Sequence, residues 1–170
     1  MNSLNFDKLL INTAFCFMAS DGKIDAREID IIRTMCAEKT LLNDFNQEIN
    51  HLISKINKNS NLFISEYFDL LAKSSLTENE EILLIDFAIK TIKADNHIEY
   101  SEIKLFKTVR QNLSISNETI LTFFPEIEAF LESDLQTKSN SHEFSNLYLN
   151  DLELPHFDFV IESNDKAAND

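Results

Sequence analysis

Apolar residues recur along the chain at intervals of three and four, which is the spacing of one face of an α-helix. Pro125 interrupts the last apolar stripe, because its ring removes one backbone donor and crowds the preceding turn, so we expect a kink or a break there. The pattern predicts seven helices, near residues 5–19, 26–39, 43–58, 62–74, 78–93, 100–112 and from 117 onward.

The predicted helices form two copies of one unit. Two copies are too few to stack into a solenoid, so the repeat predicts a compact bundle with a pseudo-two-fold relation between three-helix units, joined by the fourth helix. The first copy carries Leu9-Leu10-Ile11, Ala14, Asp21, Ile24, Glu28, Ile29 and Thr34, and 74 residues later the second carries Leu83-Leu84-Ile85, Ala88, Asp95, Ile98, Glu102, Ile103 and Thr108.

Composition supports an all-α fold of about seven helices. The chain has 1 glycine and 2 prolines in 170 residues, whereas β-hairpins usually rely on glycine for turns with positive φ. Cys16 and Cys36 lie in apolar helical stretches and lack a CxxC spacing, so we expect buried free thiols.

The chain divides into a helical domain and a tail. We place the domain at residues 1–133, with repeats at about 5–58 and 78–133, a polar linker at 134–143, and an extended or partly disordered acidic tail at 144–170. Alternating apolar and polar residues in the tail suit a segment that docks along a groove, either on a partner or on the chain's own body. The candidate docking residues are Leu149, Leu152, Leu154, Phe157, Phe159 and Ile161.

The net charge of the chain limits the classes of partner that it is expected to bind. The chain has 29 acidic and 15 basic residues and a net charge of −14, which repels nucleic acids and anionic membranes and suits cations or basic protein surfaces. We therefore expect no nucleic-acid partner. A secretory signal and a run of about 20 apolar residues are both missing, so we expect no direct membrane insertion and a cytoplasmic location. The oligomeric state is left open.

Both copies place acidic residues in and just after a tight turn. The candidates are Asp21, Asp25 and Glu28 in the first copy and Asp95, Glu99 and Glu102 in the second. The first turn resembles the second half of an EF-hand calcium loop. With Glu28 as the last ligand, however, Phe17 and Ala19 occupy positions that require oxygen ligands, so we reject an EF-hand.

Two interpretations of these carboxylates stay open. If the turns converge, the carboxylates can bind a divalent cation such as calcium, magnesium or zinc, with His97 as a softer ligand. Alternatively, Asp21 and Asp95 accept hydrogen bonds from turn N–H groups, and Glu28 forms a capping box with Asp25. The structural interpretation is favoured, and no cofactor is required.

The turn signatures resemble those of the TerB family of tellurite-resistance proteins, whose helical modules carry Ala-Asp-Gly-x-Ile and then a glutamate on the next helix. Here the signature reads Ser20-Asp21-Gly22-Lys23-Ile24 with Glu28, and Ala94-Asp95-Asn96-His97-Ile98 with Glu102. Ser20 and Asn96 depart from the pattern, although asparagine also tolerates left-handed backbone angles. The resemblance covers about residues 5–130. It implies an all-helical module of bacterial stress-response and tellurite-resistance systems, with a role in protein interaction or ion sensing.

These observations predict a non-enzymatic, TerB-like stress-response protein that acts as a protein-interaction module. The alternative is a divalent-cation binding or sensing domain that uses the duplicated turns. The chain contains no nucleophile elbow, phosphate loop or zinc-protease pattern, so catalysis is not predicted. A hydrolase built on clustered carboxylates is the residual alternative, and it requires a cleft in which the acids converge.

Overall fold

A computed structural model describes residues 3–20, 26–39, 45–131 and 156–157 of the chain. These residues form a compact all-α fold, and no strand occurs within them. The helices are α1 (Ser3–Ala19), α2 (Ala26–Glu38), α3 (Phe45–Lys58), α4 (Ser60–Lys73), α5 (Glu78–Ile92), α6 (Tyr100–Gln111), α7 (Asn117–Phe123) and α8 (Glu128–Leu131).

The predicted break at Pro125 is confirmed. α7 ends at Phe123, a single 3-10 turn follows at Pro125–Ile127, and α8 begins at Glu128. The structure therefore has eight helices in its described part rather than about seven, because the proline divides the last predicted helix into two. Except for residues 156–157, the predicted linker and tail lie outside the described residues.

Local caps fix several helix starts. At α5, Thr77 N donates to Glu80 Oε2 at 2.8 Å and Glu80 N donates to Thr77 Oγ1 at 3.4 Å, which together form a capping box. The hydrogen bonds from the backbone and side chain of Thr77 lower the pKa of Glu80. Asn59 caps α4 and Ser116 caps α7 in the same way, each accepting a backbone N–H from the first turn of its helix.

α1 and α5 form the centre of the core. α1 packs most extensively on α5 and also contacts α2, α3 and α4. Equivalent residues of the two copies, such as Leu10 with Leu84 and Ala14 with Ala88, are fully buried in both. No helix in the described part of the chain is both long and apolar enough to cross a bilayer.

α4 is the helix without a counterpart among the described residues of the second copy. It covers one face of α1, where Phe63 meets Phe15 edge to face with ring centroids 6.2 Å apart. One turn further along α4, the hydroxyl of Tyr67 lies 3.0 Å from Thr13 Oγ1. On this face of α1, Asn12 and Phe15 are consequently buried. No described helix of the second copy covers the corresponding face of α5 in this way.

Candidate functional site

The second acidic turn, between α5 and α6, has the geometry that the structural interpretation requires. Asp95 Oδ1 accepts a hydrogen bond from His97 N at 2.8 Å. Asn96 has a φ of 65° and is the one non-glycine residue with positive φ in the described ranges. Asparagine tolerates this left-handed conformation better than most residues, so it can replace the glycine of the first copy.

The carboxylates that follow this turn also interact with neighbouring residues of the turn and of the start of α6. Glu99 N donates to Glu102 Oε2 at 2.8 Å, and the two residues form a capping box at the start of α6. Glu102 is buried, as is its equivalent Glu28 in the first copy. His97 Nε2 lies 2.8 Å from Glu99 Oε1; the side chain of His97 is exposed and that of Glu99 is half-exposed.

The two turns are linked by one described contact. Arg27, in the first turn of α2, donates from Nη1 to the carbonyl oxygen of Asp95 at 3.2 Å. Asp21 and Asp25 lie outside the described residues. Within the described ranges, no three His, Cys, Asp or Glu side chains form a group that could hold a metal ion. Convergence of the six turn carboxylates on a cation therefore stays a prediction.

A pair of substitutions separates the turn role of Asp95 from a ligand role. We expect Asp95→Ala to lower the free energy of unfolding by about 1 kcal/mol, because His97 N loses its acceptor. We expect Asp95→Asn to change it by less than about 0.5 kcal/mol, because the amide oxygen can accept the same bond. Urea unfolding of both variants measures these changes. Equal losses in the two variants would contradict the turn role and point to a need for the negative charge.

The C-terminal segment docks on the chain's own body at one described point. Phe157 is buried in the main hydrophobic core. Its backbone N donates to Asn57 Oδ1 and its carbonyl oxygen accepts from Asn57 Nδ2, each at 2.7 Å. The side-chain amide of Asn57, near the end of α3, thus makes with the backbone of Phe157 the two hydrogen bonds that a neighbouring β-strand would make. The other candidate tail residues, Leu149, Leu152, Leu154, Phe159 and Ile161, lie outside the described residues.

The two cysteines are buried free thiols, as predicted. Burial raises the pKa of Cys16 well above its ordinary value. Burial, followed by the nearby negative charge of Asp7, raises the pKa of Cys36 to about 11. Both thiols are therefore protonated at neutral pH and are poor nucleophiles and metal ligands in that form.

A groove between α2 and α5 is a candidate binding site that the sequence analysis missed. It has a volume of about 470 Å³. Its apolar floor is formed by Ile31 and Met35 of α2, Ile89 of α5 and Phe124 after α7. This volume lies within the usual range of ligand pockets in proteins. We call this site the α2–α5 groove.

Charged side chains form the rim of the α2–α5 groove. Lys90 Nζ lies 2.8 Å from Asp86 Oδ2, and Lys93 Nζ lies 3.0 Å from Glu126 Oε1. A backbone hydrogen bond at Glu126, together with that from Lys93, lowers the pKa of Glu126. Glu38 also lines the rim and makes no ion pair with any described residue. The rim therefore carries one excess negative charge.

The α2–α5 groove lies on the face of α5 that corresponds to the covered face of α1. Seventy-four residues separate Asn12 from Asp86 and Phe15 from Ile89. Phe15 contacts Phe63 of α4 and Asn12 lines a cavity beside α4, whereas Asp86 and Ile89 line the groove. The repeat offset was the signal in the sequence that could have revealed this site, since it pairs the face of α1 under α4 with the face of α5 at the groove.

Comparison of the chain with protein-family models, with curated proteins and with solved structures finds no significant match. The resemblance to the TerB family therefore stays a prediction that rests on the two turn signatures. Of these signatures, residues 94–98 are described, and they contain the left-handed residue at the third position, Asn96.

Proposed function

We propose that this chain is a non-enzymatic protein-interaction module whose α2–α5 groove binds an amphipathic helix of a partner protein. The observation that carries the proposal is the unequal cover of the two repeats among the described residues: α4 packs on α1, whereas no described helix fills the groove on the matching face of α5. In the first copy the element that covers this face is a helix. A helix is therefore the form of partner that this surface fits.

The dimensions of the α2–α5 groove agree with this occupant. Lining residues extend from Ile31 to Glu38 on α2, and from Asp86 on α5 to Lys93 just after its end, each a span of two helical turns. At a rise of about 1.5 Å per residue, each span is roughly 10 Å long. A partner helix with apolar residues at i, i+3 or i+4, and i+7 would place these side chains on the floor, as in other helix-in-groove complexes.

The charge of the groove and of the chain indicates a basic partner. The rim has an excess negative charge at Glu38, and the chain has a net charge of −14. Lys90 and Lys93 are already paired with Asp86 and Glu126, so they offer little attraction to an acidic partner. Complementary charge raises the rate of association and disfavours partners of like charge. We therefore expect lysine or arginine beside the apolar stripe of the partner helix.

Fluorescence anisotropy with a labelled synthetic helix tests this proposal. The probe carries leucine at i, i+4 and i+7 and lysine on its flanks. We expect Ile31→Asp to weaken binding at least about tenfold, because it places a charge on the apolar floor. Glu38→Lys should weaken binding about threefold or more and reduce its salt dependence. Both residues line the groove.

The matched control is Leu62→Asp, which changes an exposed leucine that does not line the groove. Its affinity for the probe should equal that of the wild type. Circular dichroism establishes that each variant is folded. The proposal is wrong if the wild type does not bind the probe, or if Ile31→Asp binds it as tightly as the control.

The finer assignments remain predictions. The TerB-like identity, a bacterial stress-response or tellurite-resistance setting, a cytoplasmic location and the lack of catalysis rest on the sequence patterns alone. Divalent-cation binding is the alternative function. Calorimetry with calcium, magnesium and zinc, on the wild type and on a variant combining Asp21→Asn with Asp95→Asn, distinguishes it. Heat that saturates in the wild type and is lost in the variant would favour the alternative.

A further inference from the structure

Phe123, the last residue of α7, is an exposed aromatic residue beside the α2–α5 groove. The residue is 55% exposed. Its ring centroid lies 6.4 Å from that of Phe124, the next residue, which lines the groove. Phe123 itself is outside the groove lining. The apolar floor of the groove therefore continues onto an aromatic ring that is open to solvent.

The segment that carries the two phenylalanine rings is fixed by buried neighbours on both sides. Before it, Phe124 N donates to the carbonyl oxygen of Ile120 at 2.9 Å, and Ile120 is fully buried. After it, Ile127 at the end of the 3-10 turn is also fully buried. A surface that is already ordered loses little conformational entropy when a partner covers it. The ring of Phe123 is thus a suitable anchor for a binding partner.

The aromatic pair and Glu38 lie at opposite ends of the groove. Arg27 Nη1 lies 3.2 Å from the carbonyl oxygen of Asp95, so the start of α2 lies beside the segment that follows α5. Glu126, two residues after the aromatic pair, contacts Lys93 at this same end of α5. Glu38 is the last residue of α2, roughly 16 Å from Arg27 at a rise of about 1.5 Å per residue. The groove therefore has an aromatic end and an acidic end.

We propose that Phe123 binds an aromatic side chain located one turn beyond the apolar stripe of the partner helix, while a lysine or arginine at the other end of that helix pairs with Glu38. This inference rests on the proposed function, because it requires a helix in the α2–α5 groove. Paired aromatic rings contribute to affinity beyond the area that they bury, and aromatic residues often dominate the energy of an interface. The partner is thus defined by an aromatic residue, an apolar stripe and a basic residue, in this spatial order along the groove.

Fluorescence anisotropy with three labelled synthetic helices tests this arrangement. All three carry leucine at i, i+4 and i+7 and the same flanking lysines. One has phenylalanine a turn before the leucine stripe, one has phenylalanine a turn after it, and the third has alanine at both positions. We expect one of the two phenylalanine helices to bind the wild type at least about fivefold more tightly than the alanine helix. The helix that shows this gain reports the direction in which a partner helix binds.

Phe123→Ala should remove the gain, so that all three helices bind the variant as the alanine helix binds the wild type. We expect this variant to be folded, because the residue is exposed. Leu62→Ala is the matched control, since Leu62 is equally exposed and lies outside the groove, and it should keep the full gain. Glu38→Lys should weaken the alanine and phenylalanine helices by the same factor, because the effects of distant sites are additive.

The outcomes separate this inference from the proposed function. If the wild type binds the alanine helix but gains nothing from either phenylalanine helix, the inference is overturned and the proposed function stands. The same holds if Phe123→Ala keeps the gain. If none of the three helices binds the wild type, the proposed function and the inference are both wrong. Loss of the gain in Glu38→Lys would contradict the assignment of the aromatic and acidic sites to opposite ends.

Discussion

Glu81→Ala is expected to lower the free energy of unfolding by about 3 kcal/mol. Glu81 is 4% exposed, and its two carboxylate oxygens accept backbone N–H groups of the segment after α6. Oε1 accepts from Ser114 N at 2.8 Å and Oε2 from Ile115 N at 2.7 Å. A hydrogen bond to a charged group contributes about 1.5–3 kcal/mol, and alanine leaves both donors without their acceptor. Urea unfolding followed by circular dichroism measures the loss.

Two further variants define the role of Glu81. Glu81→Gln should lower the free energy of unfolding by about half as much as Glu81→Ala. The amide oxygen of glutamine can accept one N–H, while its NH₂ group faces the other donor. Glu78→Ala, at an exposed position of the same helix, should change stability by less than about 0.5 kcal/mol. A loss below about 1 kcal/mol for Glu81→Ala would show that water replaces the carboxylate at both donors.

Phe157→Ala is expected to lower the free energy of unfolding by about 3 kcal/mol. The ring is 6% exposed and belongs to the main core, and truncation of a buried phenylalanine usually costs about 3–5 kcal/mol. Asn57→Ala should lower the free energy of unfolding by about 1–2 kcal/mol, because it removes the two hydrogen bonds to Phe157.

A double-mutant cycle checks that these two residues hold the same segment. The losses in free energy of unfolding caused by Phe157→Ala and Asn57→Ala should be less than additive in the double variant, since either change alone releases the contact that the other supports. Hydrogen exchange at the amide of Phe157 should accelerate in Asn57→Ala. Full additivity, or an unchanged stability in Phe157→Ala, would contradict docking of the tail in cis and favour the tail as a partner-docking segment.

The sequence predicted most of the helical architecture because its determinants are local. Apolar periodicity placed the helices, and Pro125 marked the break after α7. The left-handed conformation of Asn96 also follows from the chemistry of one residue in one turn. Such features depend on neighbours a few residues apart, which a sequence displays directly.

The contacts that the sequence could not predict join distant residues. Glu81 binds N–H groups 33 and 34 residues away, and Asn57 binds Phe157 across 100 residues. No periodicity or spacing rule indicates which buried carboxylate meets which backbone segment. The α2–α5 groove likewise depends on how the two repeats pack, so the local patterns that reveal helices do not indicate it.

The difference between the Glu81 and Asn57 contacts bears on the order in which the chain assembles. Contacts across 34 residues close a much shorter loop than contacts across 100 residues. The entropy of loop closure makes the longer one about 1 kcal/mol more costly to form. The α5–α6 hairpin can therefore be secured early by Glu81, whereas docking of Phe157 against α3 belongs to the last steps of folding and to the first steps of unfolding.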